Sequence, residues 1–261
     1  MNKLIKKKIK MKKLFSLLWL LCVCLTMYAQ ATKLTVDCQN PGWLSNKITY
    51  GDQMTVKDLT VTGYINDTDI KFLCALIRDR ALSGGRLNLE NTHIVGSISI
   101  LDDRMSNGWN CLNGDGHLAS LYLPKSLKEI SSAIGNISVD SLYFSPQKIH
   151  AVSSESFYRG DNNKYLKHLF LGENIDSIPK YSFLGCKNLT SIHLGKKMHY
   201  IGEAAFYAST NLKQLNWNEF TSSLDYIGPR VFLETQWKPD TILIGDKIEN
   251  FDVSSFQYKD G

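Results

Sequence analysis

A chain of 261 residues, 43% hydrophobic and 21% charged, has the material for a sizeable core and lies outside the compositions of disordered or collagen-like proteins. Its formal charge of +5 arises in the first 31 residues, where seven lysines stand without an Asp or Glu. Taking those seven from the 30 basic residues leaves 23 against 25 acidic ones, a balance that gives no reason to expect a nucleic-acid partner.

Lys3 to Lys13 lead into the apolar run Leu14 to Met27 and then Tyr28-Ala29-Gln30-Ala31. A basic start, an apolar middle and a small-residue exit describe a secretory signal peptide over residues 1–31. The run of about 14 residues falls short of the ~20 that a membrane helix needs, so no transmembrane segment is expected. Met11-Lys-Lys-Leu-Phe is also a signal start, and residues 1–10 then read as an upstream extension. Cys22 and Cys24 follow the bulky Leu21 and Val23, where lipid-modified signals want a small residue, so export without lipidation is favoured. Removing the leader leaves Cys38, Cys74, Cys111 and Cys186. They are dispersed and lack metal spacing, and small buried hydrophobes are favoured over two disulfide bridges.

Residues 32–100 read as a unit of their own. Lys33 to Val36 is a strand by alternation, and Pro41-Gly42-Trp43-Leu44 opens a helix with Pro early in it. Asp58 to Thr62 is a second strand. Asn66-Asp67-Thr68-Asp69 caps a helix whose apolar positions Ile70, Leu73, Cys74 and Ile77 share one face, which gives Cys74 a core role and no need of redox chemistry. Gly84-Gly85 stops that helix, and Arg86 to Ile94 is a strand followed by a turn. From Gly96 to His117 the pattern weakens. Ile98 and Ile100 suggest one strand, while Asp102-Asp103-Arg104 and Asn113-Gly114-Asp115-Gly116 lack the ligand spacing of a full calcium loop.

Beyond residue 117 one pattern repeats. Leu166-x-x-Leu169-x-Leu171-Gly172 recurs 23 residues on (166 to 189) as Leu189-x-x-Ile192-x-Leu194-Gly195, and Ile175, Ile178 and Phe183 answer to Met198, Ile201 and Phe206. A fixed period with apolar residues at fixed phases marks a solenoid, whose units bury their apolar faces only by stacking. Further strand cores are Leu118/Leu121/Leu123, Val139/Leu142/Phe144, Leu212/Leu215/Trp217 and Ile242/Ile244. After each strand comes an apolar pair: Leu127/Ile130, Ile149/Val152, Ile175/Ile178, Met198/Ile201, Leu224/Ile227 and Ile248/Phe251. A phenylalanine column follows at Phe157, Phe183, Phe206, Phe232 and Phe256, with Ser182, Ala205 and Ser255 small beside it. Length varies at Gly160 to Lys164, Asn218 to Ser223 and Glu234 to Lys238, which places these insertions in surface loops.

These units, with Ile201-Gly202, Ala205-Phe206 and Cys186 at their repeat phases, resemble the leucine-rich repeats of BspA-like bacterial surface proteins. Leu59 to Gly63 and Ile94-Val-Gly96 are similar to the cap that precedes such repeats. The resemblance covers roughly residues 34–261. It implies an α/β fold: a leucine-rich repeat solenoid with a parallel β-sheet on the concave face and an N-terminal strand/helix cap. The expected division is signal peptide 1–31, cap 32–100 and repeat domain 101–261. The last repeat ends at Phe256-Gln-Tyr-Lys-Asp-Gly261 with no polar cap or anchor, which reads as a short gene or a truncated chain.

In an L-x-x-L-x-L strand the third and fifth positions face away from the core. The fifth column runs Tyr122, Tyr143, Phe170, His193, Asn216, Leu243, and the third runs Ser120, Ser141, His168, Ser191, Gln214, Thr241. Tyr122, Tyr143, His168, Phe170, His193, Gln214 and Asn216 are the candidate ligand-binding residues. Exposed aromatics anchor protein interfaces and stack on sugars, and they also stabilise neighbouring strands. The resemblance implies a protein ligand on a host or neighbouring-cell surface, with a glycan-binding module as the alternative. No catalytic motif occurs, and Cys186 falls at a turn phase away from His168 and His193, so no enzyme is expected. Two imidazoles without a third ligand make no metal site, and no cofactor is implied.

Overall fold

In the computed structural model, the structure describes residues 32–96, 116–127, 138–147, 151–152, 157, 165–249 and 251–257. The leader, the Ile98/Ile100 strand, the Asp102–Asp103–Arg104 cluster, Cys111, Ile130, Ile149 and the Gly160 to Lys164 insertion lie outside the described residues.

The first strand, β1 (Thr32–Cys38), is followed by two short helices, α1 (Leu44–Lys47) and α2 (Tyr50–Thr55), then β2 (Val56–Ile65), α3 (Asp67–Asp79), β3 (Arg86–Asn88) and β4 (Thr92–Ile94). Asn66 caps α3 through the backbone N–H groups of Thr68 and Asp69, and the Asp69 side chain answers by accepting the N–H of Asn66, a reciprocal capping box. The buried Asp69 carboxylate also accepts the N–H groups of Gly42, at 2.6 Å, and Leu44, at 2.9 Å. That tie draws the Pro41-Gly42 turn onto the start of α3, so α1 begins only at Leu44, after the proline instead of around it. The helix α2 was not expected from apolar periodicity because it buries nothing. Its signal is the Thr49/Asp52 capping box.

Two further expectations change in this unit. The helix α3 ends at Asp79, ahead of Gly84-Gly85, and a Cβ on Gly85 would lie 2.4 Å from the carbonyl oxygen of Lys57. That glycine therefore serves the close approach of the turn to β2. Cys74 is buried on the expected face of α3 but is also disulfide-bonded, its partner outside the described residues, so it is more than a small hydrophobe.

The repeats supply β5 (Leu118–Tyr122), β6 (Val139–Phe144), β7 (His168–Leu171), β9 (Ser191–His193) and β11 (Gln214–Leu215). With the first unit they make one parallel sheet in the order β1-β2-β3-β5-β6-β7-β9-β11, with β4 pairing β2. Leu87, Leu121, Leu142, Leu169, Ile192 and Leu215 stand side by side in register across it. On the far side of the core, β8 (Ser177–Ile178), β10 (Tyr200–Ile201) and β12 (Tyr226–Ile227) form a second, three-stranded parallel sheet. The wall of apolar pairs thus carries strands of its own. They are two residues long, too short for alternation to announce them.

Between the sheets the phenylalanines stack as their phase requires. Successive centroids are 4.7 Å apart for Phe157–Phe183, 5.2 Å for Phe183–Phe206, 5.6 Å for Phe206–Phe232 and 6.1 Å for Phe232–Phe256. Ser182, Ala205 and Ser255 beside them are fully buried, and the two serines donate their hydroxyls to the carbonyls of Pro179 and Gly228. Parallel strands, few helices and a repeated core define an α/β repeat fold.

The last repeat departs from the expectation. Ile242 and Ile244 are half-buried and form no strand, and Phe251 is 43% exposed instead of lining the wall. Nor are the two described insertions surface loops. Asn218 to Ser223 buries Phe220, edge-on to Trp217 at 5.4 Å, and Glu234 to Lys238 buries Trp237, 4.5 Å from Phe232. Where the sheet runs out of strand, these rings cover the core in place of a further leucine row.

The turns between the walls share a backbone signature. Tyr181, Ala204 and Arg230 have φ of 61°, 50° and 57°, and four residues further on Gly185, Ala208 and Glu234 have φ of 70°, 57° and 62°. At the second position the N–H reaches across to the next repeat, from Gly185 to the Tyr207 carbonyl and from Ala208 to that of Leu233. Glycine occupies the left-handed region freely, whereas a Cβ there costs about 1–2 kcal/mol. Ala208→Gly is expected to raise stability by up to about 1 kcal/mol. A lower urea midpoint than wild type would contradict this.

Candidate functional site

The alternation that buries the leucine rows turns the neighbouring positions outward on the long sheet. Register places Asn88, Tyr122, Tyr143, Phe170 and His193 abreast in one column and Arg86, Ser120, Ser141, His168, Ser191 and Gln214 in the next. In the first column the rings stack closely. Tyr122 and Tyr143 lie 3.9 Å apart at 3°, and Tyr143 and Phe170 lie 4.3 Å apart at 2°. The Arg86 guanidinium covers the free face of Tyr122 at 4.6 Å and is itself held by Asp58 at 3.3 Å. Burial of the Tyr143 hydroxyl, together with its bond to the Tyr122 hydroxyl, pushes that phenol above its ordinary range.

Stacking at these distances decides what the column offers. Both faces of Tyr143 and of Tyr122 are occupied, so these rings present edges and hydroxyls to a ligand. The exception is the face of Phe170 turned toward His193, where the rings are 6.3 Å apart and tilted by 34°. Two clefts meet there. One, of about 510 Å³, is lined by Glu90, Lys125, Gln147, Phe170, Glu173 and His193 among others, and the other, of about 520 Å³, by Phe170, Ser191, His193, Lys213, Gln214 and Trp237 among others.

The remaining candidates divide by what their polar atoms already do. His168 Nδ1 lies 2.7 Å from Ser191 Oγ, and Gln214 is exposed on the rim of the second cleft. Asn216 accepts the N–H of Leu194 on its Oδ1 and donates its Nδ2 to the Leu194 carbonyl, each at 2.8 Å. Its amide therefore continues the ladder where β11 has ended and leaves little for a ligand. Cys186 is buried, donates to the Phe157 carbonyl and is pushed up to about 12 by burial, which makes it an inert core thiol. Among the described residues no group of three or more His, Cys, Asp or Glu is arranged to hold a metal ion.

Reading the repeats alone missed Arg86, Lys213 and Trp237. Arg86-Leu87-Asn88-Leu89 carries the same outward-inward alternation as Ser120-Leu121-Tyr122-Leu123, so the signal for Arg86 was present. It lay in a segment whose period differs. Trp237 sits in an insertion, where spacing carries no information about facing.

A parallel sheet built of L-x-x-L-x-L strands, its outward face a single ring column between two clefts, defines a leucine-rich repeat protein. Residues 135–260 match the family model described as BspA type leucine rich repeat region, in six copies. The strand β5 and everything before it lie outside the match, although β5 continues the same register. No curated protein matches the chain. No helix among the described residues is long and apolar enough to cross a membrane.

Proposed function

We propose that this protein is an exported, non-catalytic adhesion or interaction module that binds another protein, on a host or neighbouring cell, across the outward face of its long sheet. In this reading the repeats curve into a solenoid with that face concave, and the strands and helices before residue 97 cap its first repeat. The observation that carries it is the ring column Tyr122, Tyr143 and Phe170, stacked face to face, with the Arg86 guanidinium over one end, His193 tilted at the other and two clefts meeting at Phe170. Preordered aromatic edges with hydroxyls give a rigid contact area at small entropic cost, which suits a protein interface. Sugar stacking needs free ring faces, and most of these faces are already taken, so protein is favoured over glycan. Export rests on the leader, and the disulfide at Cys74 is in keeping with an oxidising compartment.

The test is a pull-down with the mature chain from Thr32, run against host matrix and serum extracts and against bacterial surface extracts. Tyr143→Ala combined with Phe170→Ala is expected to weaken the captured protein's affinity at least about 30-fold, as truncating central aromatic anchors does. Equal affinity for a double variant whose circular dichroism matches wild type would remove the ring column from the site.

A further inference from the structure

The two clefts beside Phe170 differ in charge. In the first, Lys125 is paired with Glu90 at 2.9 Å, and Glu173 accepts the backbone N–H of Lys196, also at 2.9 Å. Its one lysine is thus paired, and Glu173 leaves the lining with a carboxylate in excess. The second is lined by Ser191, His193, Lys213, Gln214 and Asn216 on its polar side and by Phe170, Leu215 and Trp237 on its apolar side, with no Asp or Glu in the lining. Among the described residues Lys213 makes no ion pair, and the nearby Glu219, outside the lining, accepts from the Asn216 amide at 3.3 Å. A cavity offering one cation, neutral donors and an apolar wall favours an anionic group next to an aliphatic one.

We propose that this second cleft receives an acidic side chain of the protein partner, its carboxylate toward Lys213 and Gln214 and an aliphatic neighbour seated against Phe170 and Trp237. The assignment rests on the protein-binding reading above and names the chemistry that reading would select. Lys213 is half of the specificity. Its ammonium discriminates between a carboxylate and the isosteric amide, whereas the apolar wall does not.

Two capped dipeptides, acetyl-Leu-Glu-amide and acetyl-Leu-Gln-amide, separate the terms because they differ in charge and hardly in shape. Titrated into the isotopically labelled mature chain, both are expected to shift the Trp237 indole N–H and the backbone amides of Lys213 and Gln214. The Glu peptide should bind up to about five-fold more tightly at low ionic strength, the range of an exposed ion pair. That preference should vanish in about 1 M salt and in Lys213→Gln. Equal affinities in the wild-type chain at low salt would overturn the acidic specificity while leaving the face a peptide-binding surface. Shifts from neither peptide would overturn both this inference and the site on which it rests. A Glu preference that survives Lys213→Gln would overturn the role given to Lys213.

Discussion

Phe206→Ala is expected to cost about 3–5 kcal/mol, read as a large fall in the urea midpoint with an unchanged m-value. Phe206 is fully buried between Phe183 at 5.2 Å and Phe232 at 5.6 Å, with ring planes 10° and 5° from parallel. Removing it takes a phenyl ring out of contact with both neighbours and opens a void the surroundings cannot close. The reason is that each ring is fixed by its own repeat: the N–H of Phe183 bonds the Ala205 carbonyl, that of Phe206 the Val231 carbonyl and that of Phe232 the Ser255 carbonyl. Moving one ring inward breaks a backbone bond between repeats, so relaxation is opposed and the cavity term stays large. Phe251→Ala supplies the comparison. That ring is 43% exposed, and its loss should cost under about 1 kcal/mol. Similar losses at the two positions would mean that the column does not carry the fold.

How much of this was legible in the sequence follows from what a repeat encodes. Leu169 and Ile192, or Phe183 and Phe206, occupy equivalent environments, so equal spacing is enough to place them in register and in contact. The outward column was legible for the same reason, since Tyr143 and Phe170 sit one residue from a leucine that must face in. What alternation does not encode is how far a side chain's polar atoms are already used. Nothing in the spacing distinguishes Gln214, exposed on the cleft rim, from Asn216, whose amide closes onto Leu194. Nor does spacing reveal that Tyr122 and Tyr143 approach to 3.9 Å and so lose their faces to one another. The end of the array was illegible for a different reason. Ile242 and Ile244 keep the repeat's phase, but a strand needs a partner of adequate length, and β11 supplies only Gln214 and Leu215 before Trp217 turns the chain and its indole N–H takes the Leu243 carbonyl at 2.7 Å.

That end of the array makes Trp237→Ala the second large loss expected, again about 3–5 kcal/mol. An insertion between fixed apolar phases is ordinarily a surface loop, and a substitution in one changes stability by about 0.5 kcal/mol or less. Trp237 is instead 4% exposed, 4.5 Å from Phe232 and 5.6 Å from Trp217, and the chain before it is held by the Gln236 N–H on the Leu212 carbonyl and by the Thr235 hydroxyl on the Phe232 carbonyl. The indole therefore covers the core against Phe232 and Trp217 in place of a further leucine row. Because Trp237 also lines the cleft that holds Lys213, the substitution should also abolish the indole signal and weaken both capped dipeptides together, without changing the ratio between them. Trp237→Phe, which keeps an aromatic against Phe232, should recover most of the stability. A loss no larger than that of a surface position would return the insertion to a loop and leave the last strand of the sheet without the cover assigned to it.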